Sequence, residues 1–275
     1  MKEFIVREAD SLKNFTDNTY PQGSFFFNSL IKKKDIRVNG VKTGENVNLN
    51  VGDIVTYYTT PAQESTIAFY CVYRDENVIV VDKESGVNSE AVYATISKEE
   101  EYYFIHRLDR NTRGLMIFAR NVLAAETLLA AFREKRVEKI YHAICLGKFD
   151  KESEVLTAYL KKNSVRATVE ISSDSVHGVK IVTEYRVLKY ENGLSYVEIK
   201  LHTGKTHQIR AHMAYIKHPI LGDEKYGDKA ANKRYNAARQ RLIAKRMRFY
   251  LQGELSYLNE REFVSRFDFS DFSEK

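Results

Sequence analysis

His106-Arg107-Leu108-Asp109-Arg110-Asn111-Thr112-Arg113-Gly114 runs directly into the apolar stretch Leu115-Met116-Ile117-Phe118-Ala119. A carboxylate with one arginine two residues before it and another directly after it, closed by a glycine turn into a buried strand, is costly to place beside a core. In isolation an Arg-x-Asp-Arg reads as a surface ion pair at a strand end. The rest of the chain overturns that reading.

Upstream, the runs from Ile67 to Tyr73 and from Val78 to Val81 flank Arg74-Asp75-Glu76-Asn77, the pattern of a hairpin. Lys83-Glu84-Ser85-Gly86 follows as a turn, a polar helical stretch runs through Glu101, and Tyr103-Phe104-Ile105 leads as a strand into the acidic motif. Downstream, Asn121 caps a helix with Ala125, Leu128, Leu129 and Phe132 on one face, and Arg133-Glu134-Lys135-Arg136 places cations at its negative end. Lys139 to Gly147 then alternates as a strand, with Lys139, Tyr141 and Ala143 on one side and Ile140, Ile144 and Leu146 on the other. A tyrosine in such a strand is more often core than catalyst.

A third motif decides the matter. A strand carrying Val197, Ile199 and Leu201 runs into His202-Thr203-Gly204-Lys205-Thr206-His207-Gln208-Ile209-Arg210-Ala211-His212-Met213. Thr206 is placed to cap a helix that buries Ile209, Met213 and Ile216, with His207 and Arg210 on a different side, ending near His218-Pro219 before the loop from Gly222 to Gly227. Gly204-Lys205-Thr206 is not a phosphate-binding P-loop, which needs a glycine where Ile199 stands. Nor do His202, His207 and His212 make a metal set: His207 and His212 are five apart rather than stacked at i, i+4, and no cysteine is near.

Composition agrees with a nucleic-acid partner. The 275 residues are 43% hydrophobic with three prolines, enough for one good core and a small accessory domain. The net charge of +6 is modest, but Lys and Arg are bunched, which is what attracts polyphosphate. From Asp228 to Arg248 the cations include Lys229, Lys233, Arg234, Arg239 and Arg241, on what reads as a helix face, part solvated and part available to a nucleic-acid backbone. Leu255 to Phe267 reads as a last strand or two, and the tail from Asp268 as loose. Cys71 and Cys145 sit in apolar runs and read as buried free thiols, so a reducing cytoplasm is the expected compartment. The N-terminal residues lack the apolar core of a signal peptide, and no run approaches the roughly 18 apolar residues of a membrane span.

Residues 1–60 read as a small α/β unit. Phe25 to Leu30 suggests a short helix ending in Lys32-Lys33-Lys34, Asn39-Gly40 a hairpin turn, and Val47 to Tyr58 a strand pair turned at Val51-Gly52-Asp53. The stretch Leu30 to Gly40 resembles the RNA-binding module first seen in a small-subunit ribosomal protein; by themselves the three lysines read as a solvated helix end, a balance that reverses next to an RNA-modifying domain. Pro61 opens a linker, residues 61–66, ahead of a second domain at 67–275.

The three stretches His106 to Ala119, Lys139 to Gly147 and Leu201 to Gly227 resemble, in order and spacing, the signature motifs of the RluA family of pseudouridine synthases, and the similarity extends over most of residues 67–257. The resemblance implies an α+β fold with a mixed, largely antiparallel central sheet flanked by helices and an RNA groove across it. It matches Asp109 to the family's essential aspartate, Tyr141 to the tyrosine under the target base, Arg210 to the basic partner of the aspartate, and Arg107 to the arginine that helps displace the target nucleotide. His106, Thr112, Arg113, Lys139, Lys205 and His207 are then expected to meet RNA with Arg107, and Lys32, Lys33, Lys34 and Arg37 to bind it from the N-terminal domain. Ribosomal RNA is the expected substrate, with transfer RNA a possible one; no cofactor, no metal and a monomer are expected.

The chemistry suits those residue types. Isomerising uridine breaks a carbon–nitrogen glycosidic bond, turns the freed uracil and rejoins it through C5, without oxidation or water. Hydrolysis of a sugar usually takes two carboxylates, but an anionic uracil that is recaptured needs only one. Asp109 would attack the anomeric carbon or remove the neighbouring proton; the sequence does not choose. Either role needs the ionised form, which Arg210 would hold in a dry pocket. The base must be flipped out and stacked, the task given to Tyr141, whose phenol is also able to move the final proton.

Three features depart from the family pattern: Arg113 where serine is usual, Glu84 where the Lys-Pro-x-Gly turn has proline, and a segment Arg241 to Arg246 without the usual histidine. They bear on RNA specificity more than on catalysis, and Arg113 would add a phosphate contact. Two rivals remain at this stage: a catalytically silent RNA-binding or ribosome-assembly protein of the same fold, and a metal-dependent hydrolase built on the histidines.

Overall fold

The computed structural model describes residues 1–65, 68–98, 100–163, 168–175 and 178–272. The N-terminal part opens with β1 (Lys2–Ile5) and β2 (Asp10–Ser11). Ser11 then caps α1 (Leu12–Thr19) by accepting from Asn14 N at 3.2 Å. Helix α2 (Pro21–Lys33) starts on a proline, where no amide donor is needed, and stops at Lys34 in the left-handed conformation (φ 56°). It is a turn longer at each end than the Phe25–Leu30 core that hydropathy picks out.

Strands β3 (Ile36–Val38) and β4 (Val41–Thr43) form the hairpin expected at Asn39-Gly40, both turn residues having positive φ (50° and 79°). The expected pairing within Val47–Tyr58 does not occur. β5 (Asn48–Leu49) pairs with β2, because β6 (Ile54–Tyr57) already has both edges occupied, by β1 and β3. Leu12, Leu30, Ile36, Val55 and Tyr57 fill the core of this part.

The expected linker is ordered where it is described. Thr60 and Gln63 form a capping box on α3 (Pro61–Glu64), and the Glu64 carboxylate accepts from the hydroxyls of Tyr20 and Thr59; residues 66 and 67 lie outside the described set. Two antiparallel strands follow, β7 (Phe69–Arg74) and β8 (Val78–Lys83), then α4 (Ser89–Ile96), which packs against α1 and α2. Phe25 of α2 joins Ala91 and Val92 of α4 in the main core, and Lys98 Nζ donates to Thr19 O at 3.3 Å.

The large sheet takes in β9 (Tyr103–Phe104), β10 (Arg113–Ala119), β11 (Val137–Leu146), β12 (Ser153–Asn163), β13 (Thr168–Ser172), β14 (Val179–Glu191), β15 (Leu194–Leu201), β16 (Leu242–Phe249) and β17 (Glu262–Val264). Its main path runs β13-β12-β14-β15-β11-β16-β10-β8-β7. Every described pairing in it is antiparallel except β10 with β16. Alternation along β8 and β10 divides the core: Val80, Leu115 and Ile117 face α5 (Val122–Arg133), whereas Ile79, Met116 and Phe118 face the side carrying α4 and α6 (Gln208–Tyr215).

Asn121 caps α5 as expected, accepting from Ala124 N at 2.8 Å, but the buried face is Ala124, Ala125, Leu128 and Ala131; small residues let the helix lie close to β10, which leaves Leu129 exposed. The cation-rich stretch is a short helix, α7 (Lys229–Arg234), followed by strand β16 rather than by more helix. There Leu242, Ile243, Ala244, Met247 and Phe249 are buried, and Lys245, Arg246 and Arg248 are held by Asp268, Glu198 and Glu262.

The last segment is a 3-10 helix, Gly253–Glu260, ahead of β17. Residues 268–272 are not loose: Asp268 pairs with Lys245 and Phe272 is buried, while 273–275 lie outside the described residues. Cys145 is buried in the main core, but Cys71, on edge strand β7, is exposed; both are free thiols.

Candidate active site

Asp109 lies in the loop between β9 and β10, and its Oδ2 accepts from Arg210 Nη1 of α6 at 2.8 Å. The same guanidinium forks onto Asp223, Nε to Oδ2 at 2.7 Å and Nη2 to Oδ1 at 2.9 Å. Burial works against the charge of Arg210, yet its hydrogen bonds and attraction to Asp223, then to Asp109, hold its pKa above the ordinary range. Asp223 is also buried; Arg210 and the backbone N–H groups of Tyr226 and Lys225 outweigh that burial and keep its pKa low. One carboxylate therefore anchors the guanidinium from behind, and the guanidinium presents its remaining edge to the other.

The loop bearing Asp109 is held by its backbone. Lys83 is fully buried, and its Nζ donates to Glu84 O (3.0 Å), Val87 O (2.9 Å) and Arg110 O (3.1 Å), three acceptors for the three protons of an ammonium. Burial draws its pKa down to about 7, against the pull of Asp109 and Glu84. Ser89 Oγ donates to Leu108 O at 2.9 Å and accepts from Leu108 N at 3.0 Å, and Thr112 N closes on Asp109 O at 3.0 Å. At Gly114 (φ 111°) β10 crosses against β16 so closely that a Cβ would stand 2.3 Å from Ala244 O.

Tyr141 projects from β11 into the same place. Burial, and then the nearby Asp109, raise the pKa of its phenol, so the ring is neutral. Asp109, Tyr141 and Arg210 share one cleft of about 330 Å³ with His106, Arg107, Thr112, Lys139, Lys205 and His207.

The lining residues differ in what they offer. The His106 ring stacks on Phe132 (centroids 4.6 Å apart), accepts from Ile117 N at 3.2 Å and has its pKa lowered to about 3 by burial and then by Lys139, so it presents no charge. Arg107 is exposed and paired with Glu90 at 2.9 Å. Thr112 is buried and accepts from Gln240 Nε2 at 2.9 Å. His207, not Thr206, is the residue ahead of α6. It has φ 55°, because Gln208 Oε1 accepts from Lys205 N and Thr203 Oγ1 and draws the chain into a tight turn. His207 Nδ1 meets Tyr226 Oη at 2.9 Å, and its Nε2 stands 3.9 Å from Asp109 Oδ1.

Arg113 stands outside the cleft. Its Nε binds Glu84 at 3.0 Å, its Nη1 donates to Asp271 O at 3.1 Å, and its guanidinium lies over Phe267 at 5.1 Å, so the expected phosphate contact is replaced by internal partners. The two departures from the family turn pattern thus meet each other. Lys32, Lys33 and Lys34 are exposed on the N-terminal part, with Arg37 over the Tyr58 ring at 4.8 Å; none of them lines the cleft. Among the described residues no group of three His, Cys, Asp or Glu is placed to hold a metal. His212 instead meets Thr183 Oγ1 at 3.0 Å.

A largely antiparallel sheet thus carries one carboxylate, held on a buried guanidinium, beside a neutral tyrosine in a single cleft. The chain belongs to the RNA pseudouridylate synthase family, whose model matches residues 77–215, and is therefore an isomerase acting on RNA. It is 31% identical to ribosomal large subunit pseudouridine synthase C of Vibrio cholerae over 73% of this chain and 71% of that one. It is also 31% identical to ribosomal large subunit pseudouridine synthase D of Blochmanniella floridana, over 82% and 70%. Among solved structures, human RNA pseudouridylate synthase domain containing 4 shares the fold with a TM-score of 0.59 at 21% identity, over 73% of this chain and 89% of that one.

Proposed function

We propose that this enzyme isomerises uridine to pseudouridine in ribosomal RNA of the large subunit, with Asp109 as the group acting on the ribose. The observation that carries the reading is the 2.8 Å contact of Asp109 with Arg210 inside the cleft that Tyr141 also lines. Arg210, fixed from behind by Asp223, holds the Asp109 carboxyl in place; Tyr141 stacks under the flipped uracil while the glycosidic bond opens and C5 comes round. Arg107, at the exposed lip, fills the place of the displaced base, and Lys139, Lys205 and His207 meet the nucleotide. The relatives' names support large-subunit RNA as the substrate.

Residues 1–60 act as an RNA-binding domain whose exposed Lys32, Lys33 and Lys34 add backbone contacts; residues 61–66 join it to the catalytic domain at 67–275. Tritium release from [5-³H]uridine-labelled large-subunit ribosomal RNA tests the reading. Wild-type protein releases tritium and Asp109→Asn does not; a wild type that binds this RNA without releasing tritium would instead be an assembly factor.

A further inference from the structure

Four cations line the cleft, Arg107, Lys139, Lys205 and Arg210, against one carboxylate, Asp109. Two of the four are answered from outside, Arg107 by Glu90 and Arg210 by Asp223. Lys139 is not: among the described residues no carboxylate oxygen lies within the 4.0 Å of an ion pair from its Nζ. The ammonium rests over the Phe132 ring at 5.5 Å, and burial lowers its pKa. A half-buried cation lining a cleft without a carboxylate of its own can take an anion that arrives with the substrate.

The opposite wall is shaped to admit one. Gly204 faces Lys139, and a Cβ there would come within 3.2 Å of its Nζ, so bare backbone keeps the ammonium's place open; Lys205 and Thr206 continue this wall. Lys139 and Tyr141 leave the same face of β11 two residues apart, about 7 Å along the strand. A base stacked on Tyr141 would have its sugar-phosphate backbone within reach of Lys139.

We propose that Lys139 and the Gly204-Lys205-Thr206 turn form a phosphodiester subsite that seats the backbone of the flipped nucleotide. This rests on the reading of the cleft as the uridine site. The subsite binds in the ground state and the transition state alike, so its loss acts on KM rather than on kcat.

The test compares Lys139→Met, Lys139→Arg and Gly204→Ala. Affinity for protein-free large-subunit ribosomal RNA is titrated against salt in the Asp109→Asn background, and KM and kcat are measured by tritium release in the otherwise wild-type enzyme. Lys139→Met lowers the slope of log affinity against log salt by about 0.7–0.9, the share of one phosphate, and raises KM about tenfold with kcat within twofold. Lys139→Arg, which keeps the charge, retains the slope. Gly204→Ala weakens binding alone but adds nothing to Lys139→Met, because it acts through the same ammonium.

An unchanged slope in Lys139→Met overturns the proposal, as does a loss confined to kcat, which would put Lys139 on the departing uracil anion. A wild type that binds this RNA but releases no tritium defeats the isomerase reading instead, while the slope still reports on Lys139.

Discussion

The cleft and the N-terminal part both carry cations, but they hold them in opposite ways. Arg210 is buried between two carboxylates at 2.7–2.9 Å, whereas Lys32, Lys33 and Lys34 stand in solvent at the end of α2. A guanidinium so fixed cannot follow a moving substrate; it sets the position of one carboxylate oxygen before the substrate arrives. Three exposed ammonium groups fix nothing, and any attraction they exert is open to screening by salt. The difference separates what must be placed within a fraction of an ångström from what need only be near.

Substitutions can break that contrast in order of expected effect. Asp109→Asn removes the carboxylate that the proposed reaction uses and should lower turnover by at least about 10³-fold while leaving RNA affinity within a few-fold, measured by tritium release and filter binding. Asp223→Ala leaves a buried guanidinium without its rear support; it should cost about 3–5 kcal/mol in urea unfolding and also lower kcat. A turnover unchanged in that variant would mean that Asp109 alone suffices to hold Arg210. Replacing Lys32, Lys33 and Lys34 together with alanine should leave kcat unaltered and flatten the salt dependence of binding by about 2–3 units if each meets one phosphate.

A smaller effect concerns pH. His212 is buried and His106 half-buried, with pKa lowered to about 4 and about 3, below the ordinary 6.5. As pH falls from 6.5 toward 4 the unfolded chain takes up protons that the folded chain refuses, so stability declines through that window and is restored above it. The urea midpoint should therefore drop between pH 7 and pH 4.5, and less steeply in His212→Gln.

What the sequence made legible were features written in neighbouring residues. The Asn39-Gly40 hairpin, the Asn121 cap and the strand entering Gly114 are local signals, and the family motifs point to Asp109, Tyr141 and Arg210, which the structure gathers into one cleft. Partnerships across the fold were not legible. Lys83 reads as the start of a turn until Arg110, 27 residues later, supplies a carbonyl to it. Asp223 reads as one acid in a glycine-bracketed loop until α6 brings Arg210 against it. The run from Arg241 to Arg248 looks like a solvated face because the carboxylates that neutralise it, Glu198, Glu262 and Asp268, come from β15, β17 and the C-terminal segment.

The ion pair between Glu84 and Arg113 makes the two positions depend on each other. Each side chain is mostly shielded from water, and each would strand the other's charge if exchanged alone, for proline at one position or serine at the other. Replacing either alone therefore costs stability, and the two positions are tied to each other within this fold. The C-terminal segment is bound into the same tie, because Asp271 and Phe267 lean on the arginine.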